Sequence, residues 1–186
     1  MTTESPIYDL YDLMLEQLRD LYDGEQQQLD ILAEFDEKAY SFELREIIEW
    51  HQKETKRQVV RLKQIFNSLG EQPKGEQCDG IKGLIRESIK LYERCKNPQV
   101  CDAALITCIQ HINHYEIAGY GTAIAYAKTL GQHDIAELLL DTLREEKHAD
   151  YGLSDLAEGQ INPDAQWNSI IDRLQTGGKK NTGQTG

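Results

Sequence analysis

The chain has 186 residues and a formal net charge of −12 at pH 7. One domain can accommodate this length, and the acidic balance argues against a protein that coats nucleic acid, because phosphate binding depends on clustered Lys and Arg. Apolar residues make up 39% of the sequence and charged residues 28%, without an apolar run near the ~18 residues that a membrane span requires.

The N-terminal segment and the cysteines bear on the compartment. Residues 1–6 lack the basic and apolar regions of a signal peptide. The four cysteines, Cys78, Cys95, Cys101 and Cys108, contain no C-x-x-C pair, which disfavours a zinc site or a structural disulfide. We therefore expect a cytoplasmic protein with reduced thiols, in which Cys101 and Cys108 are small core residues on one helix face.

The first half of the chain predicts two long helices. Apolar residues at helical spacing begin just after Ser5, which suits a helix cap, and continue to about Tyr40. A second helical pattern covers residues 42–69, with Ser41 as its cap and Gly70 as its stop. Such a pair, joined by a short turn, predicts a helical hairpin.

Residues 70–98 predict a crossover. The segment begins as a loop by composition and continues as a short amphipathic helix with Ile81, Leu84, Ile85 and Ile89. It is too long for a simple turn, so we expect it to return the chain along the bundle and cover one side.

The second half of the chain predicts another pair of long helices. They cover residues 99–130 and 134–158 and end at Gly131 and Gly159. The sequence therefore predicts an all-α, antiparallel four-helix bundle with a long crossover.

The C-terminal segment predicts one more short element. A fifth helix, expected to pack against the bundle, would carry Trp167, Ile170, Ile171 and Leu174. Residues 177–186 are expected to be disordered because of their Gly, Lys, Asn and Thr content. We accordingly assign residues 1–176 to a single domain.

Each long helix carries one glutamate inside its apolar stripe. Glu146 lies seven residues after Leu139 and seven before Leu153, and at about 3.6 residues per turn these three stack on one face. The equivalent positions in the other long helices are Glu25, Glu54 and Glu116. Because glutamate is almost never fully buried without a partner, all four acids need one.

The spacing of these acids predicts that they meet. Glu25 and Glu54 are 29 residues apart, and Glu116 and Glu146 are 30 apart, as expected for two similar hairpins. Carboxylates that converge at mid-height must take up protons or bind cations. Carboxylate-bridged pairs of iron or manganese ions occupy such positions in bundle cores. We therefore predict two divalent metal ions, with iron preferred and manganese second.

Two more residues complete the predicted ligand set. His51 lies three residues before Glu54, and Asp150 lies four residues after Glu146, each on the same helix face as its glutamate. His51 is either a ligand or a partner that orients a ligand. In the alternative, His51 and Gln58 form a polar network that only positions Glu54.

Other candidate side chains rank lower. Glu145 and His148 form a formal Glu-x-x-His pair, but Glu145 lies about 100° round the helix from the stripe, so this pair is expected to face outward. His114 is expected at the surface or an interface. Tyr22 and Tyr120 lie near the direction of the site and could hydrogen-bond a ligand or carry radical chemistry, although buried packing is the simpler role.

Four segments resemble the YciF-type bacterial ferritin-like family. They are Leu21-Tyr-Asp-Gly-Glu25-Gln, His51-Gln-Lys-Glu54-Thr with Arg61-Leu62, His114-Tyr-Glu116-Ile-Ala-Gly-Tyr-Gly and Glu145-Glu-Lys-x-x-Asp150. The resemblance covers roughly residues 7–160, in order and with matching spacing. Cys78, ahead of the crossover helix, also looks like a family feature.

This resemblance implies a ferritin-like bundle with an extra helix, a dinuclear metal centre, dimerisation and a role in stress responses. Asn113 departs from the pattern, because relatives often carry an acid there. If that acid is a ligand, the affinity of this chain for metal is reduced.

Two functions of different classes follow. The first is a di-iron or di-manganese oxidoreductase, either a ferroxidase or a peroxidase or catalase-like enzyme that takes O₂ or peroxide. The alternative is a stress protein that binds metal or a partner without redox turnover. In both cases we expect a cytoplasmic homodimer that binds neither nucleic acid nor membrane.

Overall fold

The computed structural model describes residues 6–74, 77–167 and 171, and every regular element within these ranges is helical. The predicted all-α fold class is confirmed. The five α-helices, in chain order, are α1 (Leu10–Lys38), α2 (Phe42–Leu69), α3 (Asp79–Arg94), α4 (Pro98–Thr129) and α5 (His133–Leu156).

Local capping fixes where the first hairpin begins and ends. The predicted start of α1 near Ser5 is wrong, because the side chain of Asp9 accepts the Asp12 N–H at 2.9 Å and caps a helix that begins at Leu10. The bounds of α2 are as predicted. Ser41 accepts the Leu44 N–H at its start, and Gly70 ends it at φ 71°, a left-handed conformation that favours glycine.

The predicted helix stop at Gly159 is also wrong. After α5 the chain continues through a π-helical segment, Ala157–Ile161, and remains helical to Trp167. Ala157 and Ile161 are buried against the bundle, so packing keeps Gly159 inside a helix despite its low propensity. Residues 170 and 174 of the predicted fifth helix, and the predicted tail over 177–186, lie outside the described residues.

The helices form two hairpins in a four-helix arrangement. α1 packs against α2 and α4, and α5 packs against α4 and α2. The crossover helix α3 lies against α4 and α1. At one α1–α4 crossing, Gly119 allows a close approach, since a Cβ there would stand 2.9 Å from Leu21 Cδ2.

The interior consists of two apolar clusters separated by a polar layer. One cluster, around Phe35, contains Ile48 and Ile109, and the other, around Phe66, contains Leu18 and Leu139. Between them lie the buried polar side chains Glu25, Gln28, His51, Glu54, Thr55, Gln58, Asn113, Glu116, Thr142 and Glu146. Of the buried polar side chains in the described residues, only Ser88 and Asp102 lie outside this layer.

No helix in the described part of the chain is long and apolar enough to cross a membrane.

Candidate metal centre

The structure brings one glutamate from each long helix into the polar layer. Glu25 of α1 and Glu146 of α5 are 0% exposed, Glu116 of α4 is 1% exposed, and Glu54 of α2 is 5% exposed. The inward direction that the apolar stripes predicted is confirmed for all four. Their heptad positions turn each carboxylate toward the bundle axis, where the flanking Leu and Ile residues pack.

Neutral donors occupy one oxygen of three carboxylates. The Tyr120 hydroxyl donates to Glu25 Oε1. Gln28 donates to Glu116 Oε2 at 2.7 Å, and Gln58 donates to Glu146 Oε1 at 2.7 Å. These bonds fix the orientation of each carboxyl group.

Glu54 has different partners from the other three acids. Arg57 Nη2 lies 3.5 Å from its Oε1, and Trp50 precedes it by one turn of α2. Trp50 is 55% exposed. Glu54 therefore marks the edge of the polar layer that lies nearest the surface of α2.

Each glutamate also keeps one buried oxygen without a hydrogen-bond partner among the described residues. These atoms are Glu25 Oε2, Glu54 Oε2, Glu116 Oε1 and Glu146 Oε2. An unpaired buried acceptor costs ~1–3 kcal/mol, and more when it is charged. Four such oxygens in one layer provide the hard donor set that divalent cations prefer.

The carboxyl groups raise one another's pKa. Burial, followed by the charge of Glu146, raises the pKa of Glu25 well above its usual range. Burial, and then the charges of Glu25 and Glu146, do the same for the pKa of Glu116. Burial also raises the pKa of Glu146 to about 8. The charge of Glu146 disfavours ionisation of both Glu25 and Glu116, so in the absence of a cation the acid cluster retains protons.

His51 lies at the edge of this acid cluster. It is 1% exposed, and burial lowers its pKa to about 4, so the imidazole is neutral at pH 7. Its Nε2 lies 3.2 Å from Asn113 Oδ1 and 3.9 Å from Glu146 Oε2. Its Nδ1 is buried without a partner in the described residues. A neutral imidazole with a free ring nitrogen is the form that binds metal, and its role as a ligand remains a prediction.

Asp150 is placed apart from the other predicted ligands. Its side chain is 20% exposed, and Oδ2 lies 3.2 Å from Nε2 of His114 on α4. His114 is 67% exposed, as expected for a surface residue. Asp150 therefore faces the edge of the α4–α5 pair, and its role as a ligand remains a prediction.

The formal Glu145/His148 pair does not form. His148 is exposed, as expected, but Glu145 turns toward α2 instead of facing outward. Both of its oxygens accept from Arg61, at 2.9 and 3.0 Å, and Gln58 Nε2 lies 3.2 Å from Oε2. One feature of the sequence pointed to the contact between Arg61 and Glu145. Arg61 lies seven residues after Glu54 and therefore on the same face of α2.

Sequence reasoning also missed three side chains of the polar layer, which are Gln28, Thr55 and Thr142. Gln28 donates to Glu116 and to Asn113 Oδ1 at 3.3 Å, and Thr55 donates to Gln28 Oε1 at 3.3 Å. Gln28 lies three residues after Glu25, and Thr55 follows Glu54 directly. The spacing of Gln28 could have indicated its direction. Its partner on another helix could not be read from the chain.

The carboxylate oxygens of the polar layer are the kind of ligand that divalent metal ions prefer, but the side chains are not yet arranged around a common point. Within residues 6–74, 77–167 and 171, no three His, Cys, Asp or Glu side chains are already grouped as a metal site. Tyr120, Gln28 and Gln58 instead hold one oxygen of Glu25, Glu116 and Glu146. The four unpaired carboxylate oxygens, in groups whose raised pKa values favour the protonated form, nevertheless match the requirements of a cation that replaces those protons.

Paired hairpins, a crossover helix and one inward glutamate per long helix define a ferritin-like helical bundle. The sequence matches the family described as "Domain of unknown function (DUF892)" over residues 9–166, and the chain belongs to this family. The resemblance to YciF-type proteins is confirmed by this match together with two YciF relatives.

Relatives of known sequence and structure agree with this assignment. Protein YciF of Escherichia coli (strain K12) is 36% identical over 156 residues, which cover 83% of this chain and 94% of YciF. The crystal structure of the E. coli stress protein YciF matches with a TM-score of 0.80 at 35% identity, over 84% of this chain and 99% of that one.

Two further solved structures share the fold. YcfI from Rhodopseudomonas palustris matches with a TM-score of 0.80 at 39% identity, over 82% of this chain and 97% of that chain. A protein from Xanthomonas campestris pv. campestris matches with a TM-score of 0.69 over 90% of this chain and 99% of its own, at 19% identity. The latter likeness concerns the fold alone.

Proposed function

We propose that this protein is a stress-response protein that holds two divalent metal ions in its polar layer and oxidises Fe(II) with O₂ or peroxide. One observation carries the proposal: each long helix supplies one buried glutamate, and each glutamate keeps one oxygen unpaired within the described structure. The description of E. coli YciF as a stress protein supports the biological role.

Four glutamates would hold the metal ions, with two more candidates beside them. Glu25, Glu54, Glu116 and Glu146 provide oxygen ligands, and we propose His51 and Asp150 as additional ligands. Iron is the preferred metal and manganese the second, since both accept oxygen-rich ligand sets with some imidazole. When bound, such a pair supplies two-electron redox chemistry toward O₂ or peroxide.

The residues around the polar layer prepare it to bind metal ions. The two apolar clusters close the polar layer from above and below, which excludes bulk water and strengthens electrostatic interactions within it. Gln28, Gln58 and Tyr120 orient three of the carboxyl groups. The raised pKa values of Glu25, Glu116 and Glu146 mean that the cluster holds protons, which must leave when a cation binds, so metal binding releases protons.

Anaerobic loading of the purified protein with Fe(II) tests the proposal. We expect about two iron ions to bind per chain, with protons released to the solvent, and to be oxidised when O₂ or hydrogen peroxide is added. Glu54→Gln and Glu146→Gln should lose metal, because each replaces a carboxylate by a neutral amide of the same size. The exposed Glu137→Gln on α5 is the matched control. A wild-type chain that binds no metal under any loading condition would refute the proposal.

The alternative is a protein that binds metal or a partner without turnover. Asn113 favours it, because this neutral amide lies in the polar layer, 3.2 Å from His51, and cannot supply the charge that an acid would. The same experiment separates the two functions. Bound iron that stays Fe(II) after addition of either oxidant would support the alternative.

A further inference from the structure

Glu54 is the most exposed of the four buried glutamates. The exposed fraction is 5% for Glu54, 1% for Glu116 and 0% for Glu25 and Glu146. Neutral donors hold the three more enclosed carboxylates, whereas the contact at Glu54 Oε1 is with a cation, Arg57, whose Nη2 lies 3.5 Å away. The Arg57 side chain is 53% exposed. Glu54 therefore connects the polar layer to the solvent.

The two oxygens of Glu54 have different surroundings. Oε1 meets the solvated guanidinium of Arg57, and Oε2 is buried without a hydrogen-bond partner among the described residues. A carboxylate placed in this way can exchange its outer partner while its other oxygen stays inside the layer. Exposed ion pairs contribute little to stability, so the guanidinium can move away from Glu54 readily.

The edge of the bundle formed by α2 and α5 is weakest at Glu54. The crossover helix α3 packs on the opposite edge, against α4 and α1. One turn or two further along α2, Arg61 closes the edge by contacting both oxygens of Glu145 at 2.9 and 3.0 Å. These two side chains are only 16% and 21% exposed. The longer and more exposed contact between Arg57 and Glu54 is therefore the one that opens more easily.

Positive charge lies outside this point of the edge. A surface hollow of about 430 Å³ on α2 is lined by Lys56, Arg57, Val60, Arg61 and Gln64. Because like charges repel, these side chains oppose the approach of a divalent cation. Arg57 is the one that contacts the Glu54 carboxylate, so its charge should oppose the approach most.

We propose that divalent metal ions enter the polar layer between α2 and α5 at Glu54, and that Arg57 limits the rate of entry. This inference rests on the proposed metal-binding function. In the metal-free protein the guanidinium of Arg57 neutralises Glu54 from the solvent side. Glu54 must exchange this guanidinium for the divalent cation before the site can fill. Arg57 thus acts on the rate of filling and is not a ligand.

Rapid mixing of the full-length, metal-free protein with Mn(II) tests the entry route. A trace of a Mn(II)-sensitive dye reports the unbound metal over time, and equilibrium dialysis measures how much binds. Arg57→Gln should raise the association rate constant by roughly 3–10-fold at about 0.15 M ionic strength, since a nearby unit charge opposes a divalent cation even when partly screened. The gain should shrink at about 1 M salt, where the screening length is ~3 Å.

A graded series at the same position separates charge from packing. Arg57→Glu should accelerate entry more than Arg57→Gln, and Arg57→Lys should stay near the wild-type rate because it keeps the charge. Arg144→Gln is the matched control. It removes the same charge from an exposed arginine that pairs with Asp141 at 3.1 Å rather than with an acid of the polar layer, so it should leave the rate unchanged.

The outcomes distinguish this inference from the proposed function. Wild-type protein that binds no Mn(II) at equilibrium would refute the metal site and the entry route together. Wild-type protein that binds Mn(II), with the same rate in Arg57→Gln or with an equal acceleration in Arg144→Gln, would overturn the entry route alone.

Discussion

Two glutamines and one tyrosine donate hydrogen bonds to three of the buried acids. Gln28, Gln58 and Tyr120 each donate to one carboxyl group, which lowers the energy of its charged form. Burial and the neighbouring acids act in the opposite direction, and the pKa values of Glu25, Glu116 and Glu146 all rise. Desolvation is the larger effect at these positions, so the donors position the acids without fully ionising them.

Glu146→Gln should make the metal-free protein more stable at pH 8. The pKa of Glu146 is about 8 when folded and near 4.5 when exposed, so above pH 4.5 the folded state resists an ionisation that the unfolded state allows. A neutral amide removes this cost, on the order of 1 kcal/mol or more. Urea unfolding with chelator present measures it. Equal stability of the wild-type and Glu146→Gln proteins at pH 8 would contradict a raised pKa of Glu146.

Tyr120→Phe should destabilise the metal-free protein by ~1–3 kcal/mol. The substitution removes the hydroxyl that donates to Glu25 and leaves a buried carboxyl oxygen without its partner. Chemical denaturation measures the change. Tyr151→Phe, at a position that is 65% exposed, is the control and should have no measurable effect.

At the scale of helices, an ion pair joins α2 to α5 beside the polar layer. Arg61 contacts both oxygens of Glu145, and the two side chains are 16% and 21% exposed. Arg61 also donates to Thr142 on α5. Gln58 reaches Glu145 and Glu146 from the same face of α2. These bonds set the register between α2 and α5, which are not consecutive helices in the chain.

Arg61→Met should cost ~1–3 kcal/mol of stability, because it leaves the half-buried Glu145 carboxylate without its cation. Adding Glu145→Gln should recover part of that loss, and a double-mutant cycle from urea denaturation measures the coupling. The reference is the exposed pair Arg144 and Asp141, whose side chains are 66% and 55% exposed. That pair should couple by less than ~0.5 kcal/mol, and an equally weak Arg61 coupling would show that the inter-helix pair is not structural.

For the whole molecule, the polar layer predicts opposite pH responses from its acids and its histidine. The pKa of Glu146 is higher in the folded protein than in the unfolded chain. Its protonation therefore contributes stability that is fully present below pH 4.5 and is lost as the pH rises through about 8. His51 has a lowered folded pKa of about 4, against 6.5 when exposed. Its contribution is present above pH 6.5 and is lost as the pH falls through about 4.

Metal-free protein should therefore be most stable at mildly acidic pH and lose stability toward pH 8. Saturating Mn(II) should reverse the loss on the alkaline side, because the cation replaces the protons of the acid cluster and binds only the folded state. Thermal unfolding across pH 4–9, with chelator or with metal, measures both effects. A stability profile of the chelated protein that rises from pH 6 to pH 8 would contradict the prediction.

Much of the fold could be predicted because its signals are local. The bounds of α2 follow from Ser41, Gly70 and the apolar period between them. The predicted helix stop at Gly159 was wrong, because burial of Ala157 and Ile161 overrides the weak helix propensity of glycine. The sequence also predicted the start of α1 too early, because both Ser and Asp suit a helix cap and the chain offers Asp9 directly before Leu10.

The sequence by itself determined that one glutamate on each long helix points into the core, because heptad spacing fixes direction on a helix. Only the tertiary structure decided which groups meet there. It paired Gln28 with Glu116, Gln58 with Glu146 and Arg61 with Glu145, and it turned Asp150 toward His114. These partners lie on different helices, and their contacts depend on the relative rotation and height of packed helices, which no local pattern in the chain encodes.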